Sequence, residues 1–166
     1  RIDNSSFKIF NGQCEDSLNI INSNGSIDEL NIRNAYQDGI DIDFSNIRIN
    51  KVTISQAGND CFDVSGGKYE LHNANLDNCM DKALSVGEKS TLRADYLYVK
   101  NTNIAISAKD LSKVSISTLD AKNINLCAEV KRKKQEFGGA RLEINNQKCP
   151  STIDVDDEST FYKNNI

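Results

Sequence analysis

The sequence predicts an all-β solenoid in which parallel strands stack coil upon coil. Three observations lead to this prediction: a motif first seen complete at Asp38–Asp43 returns every 22 residues, apolar and polar residues alternate within it, and asparagine recurs at a similar spacing. Later copies of the motif are Asn59–Ser65, Asp81–Gly87 and Asn103–Lys109. Alternation of period two is typical of strands with one buried face.

The first strand of each coil is the clearest, because rows of 22 residues place two apolar columns on either side of a polar one. One apolar column is Leu18, Ile40, Phe62, Leu84, Ile106 and Ala128, and the other is Ile20, Ile42, Val64, Val86, Ala108 and Val130. The polar column is Asn19, Asp41, Asp63, Ser85, Ser107 and Glu129. The apolar columns are predicted to line a core and the polar column to face outward.

Each coil contains two further strand patterns, such as Ile47 with Ile49 and then Val52 with Ile54. An amide column follows the third strand: Asn11, Asn34, Gln56, Asn78, Asn101, Asn123 and Asn146. Stacked amides can bond to one another along such a ladder. Three short strands per coil predict a triangular section with about six or seven coils, whereas the signatures of leucine-rich repeats and of propeller blades are missing.

The whole of residues 1–166 is predicted to be a single domain, with residues 1–6 and 149–166 irregular or capping. The segment after Cys149 could instead be a last partial coil. Because the chain starts at Arg1 without a signal-peptide core, we expect it to be part of a longer or processed protein. No apolar run approaches the roughly 20 residues that cross a bilayer.

Charge and cysteine content narrow the function classes. A formal charge of −4 and a pI near 5.0 disfavour nucleic acid as a partner. The five cysteines form no C-x-x-C pair, which removes the usual zinc and thioredoxin interpretations. Since the count is odd, at least one thiol must be free or paired outside the chain, and we predict mostly buried free thiols rather than a disulfide framework.

Candidate chemistry concentrates on the first strand, where four carboxylates repeat between adjacent coils. Asp38 and Asp60 are one coil apart, as are Asp41 and Asp63, so strand stacking predicts a separation of about 5 Å within each pair. Like charges this close raise the apparent pKa of the pair and usually imply a proton, a cation or a ligand. Such a cluster is therefore a candidate site.

These columns resemble the right-handed parallel β-helix proteins of the pectate-lyase-like superfamily over nearly the whole chain, and the handedness is implied by that resemblance. The motifs are similar to those of the polygalacturonase family, which carries Asn-Thr-Asp-Gly-Ile-Asp, Gly-Asp-Asp-Cys, Gly-His-Gly-x-Ser-Ile-Gly and Arg-Ile-Lys. The corresponding segments here are Tyr36–Asp41, Gly58–Cys61, Asp81–Gly87 and Ser107–Lys109. Asn59, Lys82 and Ser107 depart from the family pattern.

The resemblance implies that Asp38 and Asp60 are the catalytic acid and base of a polysaccharide hydrolase, and that Lys109 binds substrate. An inverting glycosidase needs one protonated and one ionised carboxyl group. The predicted substrate-binding residues are Asp41, Asp63, Lys82, Ser85 and Lys109. The expected partner is a polysaccharide or oligosaccharide, with no cofactor and an extracellular or cell-surface location.

Three alternatives remain open at this stage. The aspartates can be ordinary turn-capping and solubilising residues. They can bind calcium, whose ligands are hard oxygens, although the nonapeptide calcium repeat is missing. The chain can also be a non-catalytic structural or adhesive segment of a larger surface protein.

Residues outside this cluster give weaker indications. His72 is predicted to lie on the surface, and Lys131–Lys134 is predicted to form a solvated loop. Tyr96 and Tyr98 could stack on sugars if they are exposed.

Overall fold

The computed structural model describes residues 1–163, and the strands in this part of the chain pair only in parallel. Among these residues there is no helix, and hence none that is long and apolar enough to cross a membrane. The strands are β1 (Ile2–Gly12), β2 (Asp16–Ile21), β3 (Asn24–Ala35), β4 (Asp38–Asp43), β5 (Asn46–Ala57), β6 (Phe62–Ser65), β7 (Lys68–Cys79), β8 (Lys82–Gly87), β9 (Thr91–Lys109), β10 (Lys113–Lys131), β11 (Arg141–Lys148), β12 (Thr152–Val155) and β13 (Thr160–Lys163).

The strands form a β-solenoid of about seven turns with coils of about 22 residues, which confirms the predicted fold class. Each residue of a first strand pairs with the residue one coil away: Ile40 lies beside Leu18 and Phe62, and Asp41 lies beside Asn19 and Asp63. The apolar columns face inward, so that Ile40, Phe62 and Leu84 are fully buried. The period of the sequence is thus the register of the sheet.

The second and third strands of a coil are continuous, unlike the three separate strands predicted. In β5 the side chains of Ile47 and Ile49 point inward, two exposed residues follow, and Val52 and Ile54 point inward again. The pair of exposed residues shifts the alternation by one position and marks a corner through which the hydrogen bonding continues. Each coil therefore has three inward-facing stretches, which we call the first, second and third stretch, on fewer strands.

The amide column lies at the corner after the third stretch. Asn11, Asn34, Gln56, Asn78, Asn101 and Asn123 all adopt left-handed backbone, with φ between 54° and 63°. Asparagine tolerates this conformation better than most residues. The Asn34 side chain donates a 2.7 Å bond to Asn11, and Asn123 donates a 2.8 Å bond to Asn101. The predicted ladder is therefore present in pairs, and the primary role of the column is to turn the chain.

The prediction of mostly free cysteines is wrong. Disulfides join Cys61 to Cys79 and Cys127 to Cys149, and Cys14 is free and exposed. Cys61 lies just before β6 and Cys79 ends β7, where the turn of the coil brings their Cα atoms to 5.4 Å. That distance is within the usual range for a disulfide. The odd count does leave one thiol unpaired, as expected.

The chain ends are more regular than predicted. Residues 2–6 belong to β1, with register shifts between Ile2 and Ser6. β12 continues the first stretch, because Ile153 lies beside Ala128 and Val155 beside Val130. Residues 149–163 thus continue the coil stack, and residues 164–166 of the predicted cap lie outside the described chain.

Candidate functional site

The outward side of the first stretch carries a band of aspartates in its first three coils, which we call the carboxylate face. Register places Asp16 beside Asp38 and Asp41 beside Asp63. The face consists of Asp16, Asp38, Asp41, Asp43, Asp60 and Asp63. All four aspartates predicted from the sequence are therefore brought onto adjacent coils of one sheet.

Asp38 and Asp60 tie successive coils together. Asp38 Oδ1 accepts 2.8 Å bonds from the backbone N–H of Asp60 and from the Asn59 side chain. Asp60 Oδ1 accepts a 3.0 Å bond from the backbone N–H of Lys82 and lies 3.4 Å from its Nζ. These residues sit at the corner before the strand, where the next coil presents its backbone N–H. Each carboxylate leaves Oδ2 outside these bonds.

Asp41 and Asp63 differ from the corner pair, because neither side chain makes a hydrogen bond or ion pair within residues 1–163. Both are partly buried. Burial raises the pKa of Asp41 to about 7, and the charges of Asp43 and Asp63 raise it further in the same direction. Asp41 therefore holds its proton close to neutral pH, as a general acid must.

Two other members of the carboxylate face have raised pKa values. Burial raises the pKa of Asp60 to about 6, although the Lys82 ammonium opposes this shift. Burial also raises the pKa of Asp43, and the charge of Asp63 adds to it. Asp81 is the counter-example, since its bond with Lys82 outweighs burial and lowers the pKa. The face thus favours bound protons except where a lysine neutralises it.

Lysine and serine replace aspartate in the following coils. Lys82 Nζ pairs with the Asp81 carboxylate and contacts Asp60. Lys109 Nζ donates a 2.7 Å bond to Ser85 Oγ, and both residues are buried. The Lys109 side chain is only 7% exposed and has no carboxylate within ion-pair distance among residues 1–163. A buried ammonium without a counter-ion is costly and suits an anionic ligand.

The prediction from sequence missed three carboxylates of this sheet. Asp16 continues the 22-residue spacing of Asp38 and Asp60, and Asp43 is the next outward position after Asp41, so both had a detectable pattern. Glu129 was identified only as a member of the polar column. It accepts a 2.6 Å bond from Ser107 and a 2.5 Å bond from Lys131, which fills the face in the later coils.

The weaker candidates have structural partners. His72 is exposed and its Nδ1 lies 2.7 Å from Asp95 Oδ2, in accord with the predicted surface position. In the basic loop, Lys131, Arg132 and Lys134 pair with Glu129, Glu158 and Glu88. The described residues 1–163 include no group of three or more His, Cys, Asp or Glu side chains arranged to hold a metal ion.

Fold and surface together define a class: a parallel β-solenoid with a carboxylate face on one stretch. Comparisons with protein-family models, with curated proteins and with solved structures gave no match to this chain. The site geometry must therefore carry the functional argument.

Asp41→Asn is expected to stabilise the protein at pH 8 by about 1–3 kcal/mol after allowance for solvent screening. In the unfolded chain Asp41 ionises near its ordinary pKa of 3.8, whereas in the folded protein it ionises at about 7. Its protonated form stabilises the fold fully below pH 3.8, and that contribution is lost as pH rises through 7. Thermal unfolding of both proteins at pH 5 and pH 8 measures the effect. A larger gain at pH 5 than at pH 8 contradicts the assignment.

Proposed function

We propose that the carboxylate face binds a polysaccharide and hydrolyses its glycosidic bonds. The observation that carries the proposal is the pair Asp41 and Asp63, two carboxyl groups free of protein partners on adjacent coils, one with a pKa of about 7. A protonated carboxyl beside a second carboxylate is the chemical requirement of a glycosidase. The proposal extends the resemblance to the polygalacturonase family from the motifs to the site.

Within this proposal Asp41 takes the acid role expected of Asp38. It protonates the leaving glycosidic oxygen while the Asp63 carboxylate attacks the anomeric carbon, and water then cleaves the glycosyl ester with Asp41 as base. Neighbouring strands are about 4.8 Å apart, which is closer to the carboxyl separation of about 5–5.5 Å in retaining glycosidases than to the wider spacing of inverting ones. Asp38 and Asp60 hold the corners that orient this pair.

The lysines support an acidic glycan as the substrate. Lys109 is a buried ammonium with only a serine hydroxyl as its partner, so a carboxylate of a uronic acid would neutralise it. Lys82 and Ser85 lie between Lys109 and the aspartates and complete the proposed substrate contacts. The two disulfides favour an oxidising environment, which suits the proposed extracellular or cell-surface location.

A second candidate is a non-catalytic structural or adhesive segment of a larger surface protein. It is favoured by Asp38 and Asp60, whose Oδ1 atoms bond to backbone N–H groups of the next coil. Such bonds fix the stacking of coils and need no ligand.

Incubation with polygalacturonate, alginate, xylan and β-glucan separates the two candidates. We expect binding by affinity electrophoresis and release of reducing ends from an acidic polysaccharide. Asp41→Asn and Asp63→Asn are expected to lower the hydrolysis rate about 10²–10⁴-fold. Asp28→Asn, at an exposed aspartate on β3, and Asp60→Asn, at a corner, are the controls. Binding without hydrolysis overturns the catalytic roles, and lack of binding to any of the four leaves the structural candidate.

A further inference from the structure

A groove of about 280 Å³ crosses the outward side of the third stretch, away from the carboxylate face. We call it the tyrosine groove. Its lining residues are Lys51, Val52, Thr53, Asn73, Ala74, Asn75, Tyr96 and Tyr98. Three adjacent coils contribute to it, because β5, β7 and β9 are neighbours in the sheet.

Register explains why a groove forms here. Tyr96 lies beside Asn73, and Tyr98 lies beside Asn75. Two large side chains on β9 therefore stand next to two short amides on β7, so the sheet surface steps down in front of the rings. Val52 and Ala74 lie below this step and are buried. Tyr96 is 40% exposed, which leaves much of its ring open to solvent.

The chemistry of the groove is neutral and rich in hydrogen-bonding groups. Its one charged side chain, Lys51, is paired with Glu29 at 2.9 Å. Within residues 1–163 the side chains of Thr53, Asn73 and Asn75 make no hydrogen bond. The ammonium of Lys122 lies 5.7 Å from the Tyr98 ring centre and belongs to the next coil. Free amides and a hydroxyl in front of open aromatic rings match a ligand that has apolar faces and hydroxyl edges.

We propose that the tyrosine groove binds a neutral saccharide of one or two rings within a longer glycan. Aromatic rings with a polar tip suit partners that are apolar on one side and hydrated on the other. The volume is at the lower end for a ligand pocket, which limits the occupant to a short segment. This site is independent of hydrolysis on the carboxylate face, and occupation of both by one polymer would raise the overall affinity.

Titration of the full chain with cellopentaose, mannopentaose and xylopentaose, followed by ¹H–¹⁵N NMR, tests the proposal. At least one pentasaccharide is expected to shift the side-chain amide signals of Asn73 and Asn75. Tyr96→Ala and Tyr98→Ala are expected to weaken binding about tenfold. The matched control is Tyr162→Ala, which removes an exposed tyrosine on β13 and should leave binding unchanged.

Asp41→Asn distinguishes this proposal from the function of the carboxylate face. Binding of the neutral pentasaccharide must persist in that variant, because Asp41 lies on a different stretch of the coil. Three results overturn the proposal: no shift with any of the three sugars, shifts located only at the carboxylate face, or unchanged affinity in both tyrosine variants that still fold.

Discussion

Phe62→Ala is expected to lower the free energy of unfolding by about 3–5 kcal/mol. Phe62 is fully buried and stacks between Ile40 and Leu84 in the core column of the first stretch. Removal of the ring leaves a cavity that the coils on either side cannot close, because their spacing is set by backbone hydrogen bonds. Urea unfolding measures the change.

Phe10→Ala is the matched control for this core substitution. Phe10 is 57% exposed, so its removal is expected to change stability by less than about 0.5 kcal/mol. Equal losses in the two variants would mean that the inward columns do not form the core.

Replacement of both Cys61 and Cys79 with alanine is expected to cost about 3 kcal/mol, since the disulfide closes a loop of 18 residues in the unfolded chain. For a chain of this size the loss corresponds to a fall in Tm of about 6–12 °C. Alanine fits the site, because Ala83 and Ala105 occupy the same column as Cys61 and are fully buried.

Cys14→Ala is the control for the disulfide variant. Cys14 is exposed and unpaired, so its Tm should match that of the unmodified protein. A double variant that also melts at the unmodified Tm under oxidising conditions would show that the disulfide adds nothing to stability.

The register of the fold could be predicted from sequence because every inward position repeats at the coil length. Ile40, Phe62 and Leu84 are neighbours in space for the same reason that they are neighbours in a column. The continuity of the second and third strands could not be predicted. The corner residues Asn50 and Lys51 are polar and exposed, and composition does not distinguish a bent strand from a turn.

The disulfides escaped prediction because their spacing does not reveal them. Cys61 and Cys79 are 18 residues apart, which differs from the period of the coil. Their contact depends on how the chain turns from the third stretch into the next first strand. Rows of 22 residues place them in different columns, so a column alignment keeps them apart.

The candidate site was predictable in position but not in orientation. Alternation places Asp41 and Asp63 outward, and both lie there without protein partners. Asp38 and Asp60 precede the regular strand, where alternation gives no direction, and they bond to backbone N–H groups. The pKa of Asp41 depends on burial by surrounding residues and on Asp43, neither of which a two-column comparison includes.

The central claim is that coil stacking creates a carboxyl group on the carboxylate face that keeps its proton near neutral pH. A ¹³C NMR titration of the Asp41 side-chain carboxyl, assigned by comparison with Asp41→Asn, tests it most directly. The account predicts a titration midpoint at about 7. A midpoint near the ordinary value of 3.8 would contradict it and remove the proposed acid from the site.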